Sequence, residues 1–167
     1  MATPHGFEPR PTVLETGMLP LHYGVVINIF MNNHYITAFY QLLQEASEFY
    51  GYELPKYVES YILLLLADHM EKSDWYPKPS IAENYLTIQT ASDAKHLGDE
   101  CLFLCGVFPT FGKQRGMDIG YYINIGSTSY SIASRSLNPE LFTALSKNFE
   151  FASKFINIAL RETNYFK

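Results

Sequence analysis

HLGDECLFLCGVFP, residues 96–109, is the stretch on which the fold class turns. Two cysteines four apart, behind a histidine and two carboxylates, suit either a chemical site or the apolar centre of a helical core. On a helix of 3.6 residues per turn, Leu97, Cys101, Leu104, Cys105 and Phe108 share one face. Cysteine is among the most often buried residues and behaves there as a small hydrophobe. The core reading is therefore preferred. A zinc ion needs three or four ligands, yet His96 lies well round the helix from Cys101, and His5, His22, His34 and His69 are scattered. No metal site and no cofactor are expected. Redox pairing is disfavoured as well. A CxxxC spacing on a helix does not easily meet disulfide geometry, and Asp99 and Glu100 oppose the thiolate.

Gly98-Asp99 remains to be explained, because aspartate is a poor helix former unless it caps. The preferred expectation is a helix that restarts here, with Asp99 as N-cap or in the first turn. The functional alternative is a buried carboxylate paired with Arg115, Arg135 or a tyrosine hydroxyl.

The flanking segments are helical too. Residues 35–50 place Ile36, Phe39, Tyr40, Leu43, Ala46 and Tyr50 on one face, and Gly51 follows as a stop. Leu54-Pro55 opens a helix to about Asp74, with Val58, Tyr61, Ile62, Leu65, Leu66 and His69 as its stripe. Asp68-His69 is no catalytic dyad, since neighbours on a helix diverge by about 100°. Ser80-Ile81-Ala82-Glu83 has capping-box spacing and starts a helix through Ala94, which continues or restarts at Gly98. Residues 110–116 read as a polar loop. Asp118 then caps a helix through Ser134, and Asn138-Pro139-Glu140 starts a last helix to about Thr163.

Residues 1–17, rich in proline, read as a flexible or extended arm. Residues 19–31 suit a strand or a helix, and the helical surroundings favour a helix. The expectation is an all-α single-domain bundle of about six helices over residues 18–167.

Composition narrows the function. The 167 residues carry a net charge of −5 and no lysine or arginine run longer than two, which argues against nucleic acid and anionic membrane surfaces. The longest apolar run, residues 61–67, is far short of the ~20 residues that span a bilayer. With no signal-peptide pattern and only two cysteines, a reducing cytoplasm is expected. Catalytic motifs such as GxSxG, Walker A or HExxH do not occur.

Gly126, inside a helix, costs about 1 kcal/mol relative to alanine and should have a reason. Close approach of a neighbouring helix is the simpler one. A small ligand held by Asp99, Tyr122, Gly126 and Tyr130 is the other. Thirteen tyrosines and twelve phenylalanines exceed what a core of this size readily hides, and surplus aromatics typically anchor interfaces. Trp75, Tyr76, Phe108 and Phe111 are the candidate anchors.

LGDECLFLCGVFP, then GMDIGYYINIGSTSYSIAS and LFTALSKNFEFASKFINI, resembles a set of conserved bacterial proteins of unknown function. These share a GDxxLFxxGxFP segment followed by YYxxxGxx[AS]Y, matched here at Gly98, Asp99, Leu102, Phe103, Gly106, Phe108, Pro109, Tyr121, Tyr122, Gly126, Ser129 and Tyr130. The likeness covers the C-terminal half and implies a bacterial source but no activity. Cys101 and Cys105 fall at its variable positions, so it lends no support to thiol chemistry. The expectation overall is a non-enzymatic adaptor or regulatory protein acting through a protein partner or self-association, with a small-molecule pocket as the alternative.

Overall fold

A computed structural model describes residues 34–51, 53–71 and 80–161. The expected arm, residues 19–31, and the candidate anchors Trp75 and Tyr76 lie outside them. Among the described residues there are seven α-helices, one 3₁₀ helix and no strand, so the protein is all-α. The helices are α1 (His34–Tyr50), α2 (Lys56–Glu71), α3 (Ile81–Leu86), α4 (Ala91–Val107), α5 (Ile119–Ala133), α6 (Pro139–Lys147) and α7 (Phe149–Arg161), with the 3₁₀ helix at Phe111–Arg115.

Helix α4 is the centre. It packs against α2, α3, α5 and α7, and six consecutive residues from Cys101 to Gly106 are buried. A helix that is apolar all round must be enclosed on every side. The opening stretch is therefore core, as its periodicity implies. Both cysteines are free and buried. Burial is the main force raising their thiols, Cys105 to about 12, so neither is a ready thiolate.

The expected restart at Gly98 is corrected. Helix α4 runs unbroken through Asp99, and the break lies earlier, at residues 87–90. Thr90 caps α4 by accepting from the Asp93 amide while the Asp93 carboxylate accepts from the Thr90 amide. The signal was a second capping box, Thr90-Ala91-Ser92-Asp93. The first box behaves as expected, with Ser80 and Glu83 exchanging the same two bonds at the start of α3.

The expected last helix is divided into α6 and α7. Asn148 ends the first by donating from Nδ2 to the Ala144 carbonyl, and its own carbonyl accepts from the Ala152 amide in the second. The expected polar loop is the 3₁₀ turn, closed by Gly116 in the left-handed region at φ 68°. Gly51, at φ 65°, ends α1 as expected.

Candidate functional site

Asp99 sits on α4 with a carboxylate that is almost fully enclosed. Its Oδ1 accepts from the Tyr61 hydroxyl at 2.6 Å and from the Tyr130 hydroxyl at 2.8 Å. Its Oδ2 accepts from Lys95 Nζ at 2.7 Å. Tyr61 comes from α2, Tyr130 from α5, and Lys95 from one turn earlier on α4. The expected cap is thus overturned, and the buried, tyrosine-bonded carboxylate is observed instead. Among the described side chains Lys95, not Arg135, supplies the positive charge. Its ammonium also lies 5.6 Å from the centre of the Tyr61 ring, within reach of a cation–π contact.

Gly98 makes this geometry possible. A Cβ there would stand 2.6 Å from two atoms of the Tyr130 ring. The bare backbone lets the ring lie against α4 and brings its hydroxyl to the next residue. Gly98 and Asp99 therefore act together, one admitting the ring and the other binding its hydroxyl. Phe142 and Phe149 close round the Tyr130 ring at centroid distances of 5.7 and 5.8 Å, and Tyr130 is fully buried. In so dry a setting hydrogen bonds are strong, and unmade ones are costly.

Burial first, then the Asp99 charge, pushes both tyrosine hydroxyls above their ordinary range. Groups with a raised folded-state pKa contribute stability below their unfolded value and lose it as pH rises. The urea midpoint is therefore expected to fall once pH passes about 10, where unfolded tyrosines ionise and these two do not. Tyr61→Phe combined with Tyr130→Phe should flatten that alkaline slope, and an unchanged slope would contradict the assignment.

The other site residues do not converge on Asp99. Tyr122 lies eight residues before Tyr130, about 12 Å along α5. Its hydroxyl faces Met117 Sδ at 3.8 Å, and its ring packs edge-on against Tyr121 and Phe111. Gly126 is covered. A Cβ there would meet the Phe149 ring at 2.2 Å and Cys101 Cβ at 2.7 Å, which is the close approach of neighbouring helices. Ser129 Oγ is buried with no hydrogen-bond partner among the described residues.

Of the candidate anchors, Phe108 and Phe111 are half-buried and turn inward, 5.9 Å from Phe103 and 6.2 Å from Tyr122. The exposed aromatics lie on α1, which corrects the expectation that Tyr40 and Tyr50 belong to the core face. Tyr35, Tyr40, Phe49 and Tyr50 are all exposed, Phe49 at 79%. Leu42, Glu45, Ala46, Glu48, Phe49 and Tyr50, with Ala159 of α7, line an open cavity of about 490 Å³. His69 stacks on Phe103 at 4.4 Å with Nδ1 2.8 Å from the Leu65 carbonyl, while Asp68 is exposed, so the two form no dyad.

Among the described residues no three His, Cys, Asp or Glu gather to hold a metal ion. None of the described helices is long and apolar enough to cross a membrane. No protein family, curated protein or solved structure matches the chain.

Proposed function

We propose that the protein is a non-enzymatic helical adaptor or regulatory module of the bacterial cytoplasm, acting through protein–protein contacts. The observation that carries this reading is the aromatic end of α1, where an exposed Phe49 borders an open cavity. Exposed aromatics beside a recess are the usual anchors of a partner. The alternative, a ligand pocket around Asp99, Tyr122 and Tyr130, has less support. The Asp99 carboxylate is engaged by three donors of its own chain, and Tyr122 hydrogen-bonds elsewhere.

A photo-crosslinking phenylalanine analogue at position 49 of the full chain, expressed in cells, tests the reading. A discrete cross-linked species is expected, absent when the same analogue replaces Leu86, which is equally exposed on α3. No adduct at position 49, or the same adducts from both positions, would contradict it.

A further inference from the structure

Helix α1 carries two adjacent stripes. Ile36, Phe39, Leu43 and Ala46 are buried against the body of the protein. One residue before each, and continuing a turn further, run Tyr35, Ala38, Leu42, Glu45 and Phe49. Their spacing of three, four, three and four is that of a coiled-coil seam. Leu42 is half-buried and the other four are exposed. Leu42, Glu45 and Phe49 of this seam line the cavity together with Ala159 of α7.

Charge selects the occupant. Glu45 stands within the seam, and both Glu45 and Glu48 line the cavity. The sequence of α1, HYITAFYQLLQEASEFY, holds no lysine or arginine. No salt bridge engages either glutamate among the described residues. A second copy would bring the same carboxylates to the contact with no cation on α1 to meet them, and like charges at an interface oppose association. The carbonyl end of α1, which carries a partial negative charge, adds to the same field.

We propose that the α1 seam receives an amphipathic helix of another protein, one with apolar residues at three-and-four spacing flanked by lysine or arginine. The apolar residues fill the recess beside Phe49, as in helix-in-groove recognition. The basic residues meet Glu45 and Glu48 and set the preference against acidic helices. This rests on the protein-contact reading above and names the chemistry of its partner.

The test uses the full chain and two synthetic peptides, with leucine at the seam positions and either lysine or glutamate at the flanking ones. The lysine peptide is expected to bind saturably and the glutamate peptide not to. Glu45→Gln with Glu48→Gln should weaken the lysine peptide roughly fivefold, the scale of two exposed ion pairs. Asp118→Asn with Glu140→Gln removes the same charge elsewhere and should leave affinity unchanged. Phe49→Ser should abolish binding without unfolding so exposed a site. Equal binding of both peptides, or equal weakening by both charge pairs, would overturn the proposal. So would no binding to the full chain, whether the seam is covered by a second copy, seen as a doubled native mass, or by the chain's own N-terminal residues. Cross-linking at position 49 combined with such a failure would overturn only the basic partner and leave the contact reading standing.

Discussion

Asp99→Ala is expected to destabilise the protein by about 3 kcal/mol, because it strands two hydroxyls in the interior at about 1–3 kcal/mol each. Tyr130 is fully buried, so water cannot readily replace its lost acceptor, whereas the half-buried Tyr61 contributes the smaller share. Lys95 contributes less to the loss, since its side chain is 32% exposed and regains solvent. For a chain of this length the change corresponds to a melting temperature lower by roughly 6–12 °C. Asp99→Asn keeps an oxygen that both tyrosines can donate to and gives up mainly the Lys95 pair, so its loss should be about half as large. A ligand-binding aspartate predicts otherwise: both variants would melt near the parent temperature.

Gly126→Ala is the second large effect. The added methyl would stand 2.2 and 2.5 Å from atoms of the Phe149 ring and 2.7 Å from Cys101 Cβ. Neither neighbour yields easily, for Phe149 is buried in the core and Cys101 Cβ is fixed by the α4 backbone. Overpacking of this kind costs about 1–3 kcal/mol. Helix propensity returns about 1 kcal/mol when glycine becomes alanine. At these distances the steric cost falls in the upper part of that range, about 2–3 kcal/mol, leaving a net loss of roughly 1–2 kcal/mol in a urea titration. Adding Phe149→Leu should make the glycine substitution cheaper, as coupled neighbours require. If Gly126→Ala were neutral, close helix approach would not be the reason for a glycine there.

The parts of the fold legible in sequence were those governed by local chemistry. Apolar spacing marks the helices, Ser80 and Glu83 cap α3, and Gly51 stops α1, because each depends on residues within one turn. The Thr90–Asp93 box is equally local, and it rather than Gly98 marks the start of α4. Asp99 does not behave as a local residue, because its two tyrosine partners lie 38 and 31 positions away on other helices. Intrinsic propensity disfavours aspartate mid-helix, and a tertiary hydrogen-bond network overrode it. Gly126 shows the converse: the cost to the helix was visible in sequence, but the Phe149 ring that justifies it was not. Tyr40 and Tyr50 fit the apolar stripe of α1 yet remain exposed, since periodicity marks a face without saying how far the neighbouring helices reach across it. The adjacent seam could have been found from the spacing of residues 35, 38, 42, 45 and 49.

The most direct test of the assignment of Asp99 to the fold is a double-mutant cycle between Asp99 and Tyr130, read as urea midpoints. Tyr130→Phe should cost about 1 kcal/mol in the parent protein, where it removes a made hydrogen bond. In the Asp99→Ala background it should cost nothing or restore stability, because it removes a hydroxyl already stranded, giving a coupling of about 1–2 kcal/mol. An equal loss in both backgrounds would mean the carboxylate does not hold Tyr130 and must be explained by something it binds.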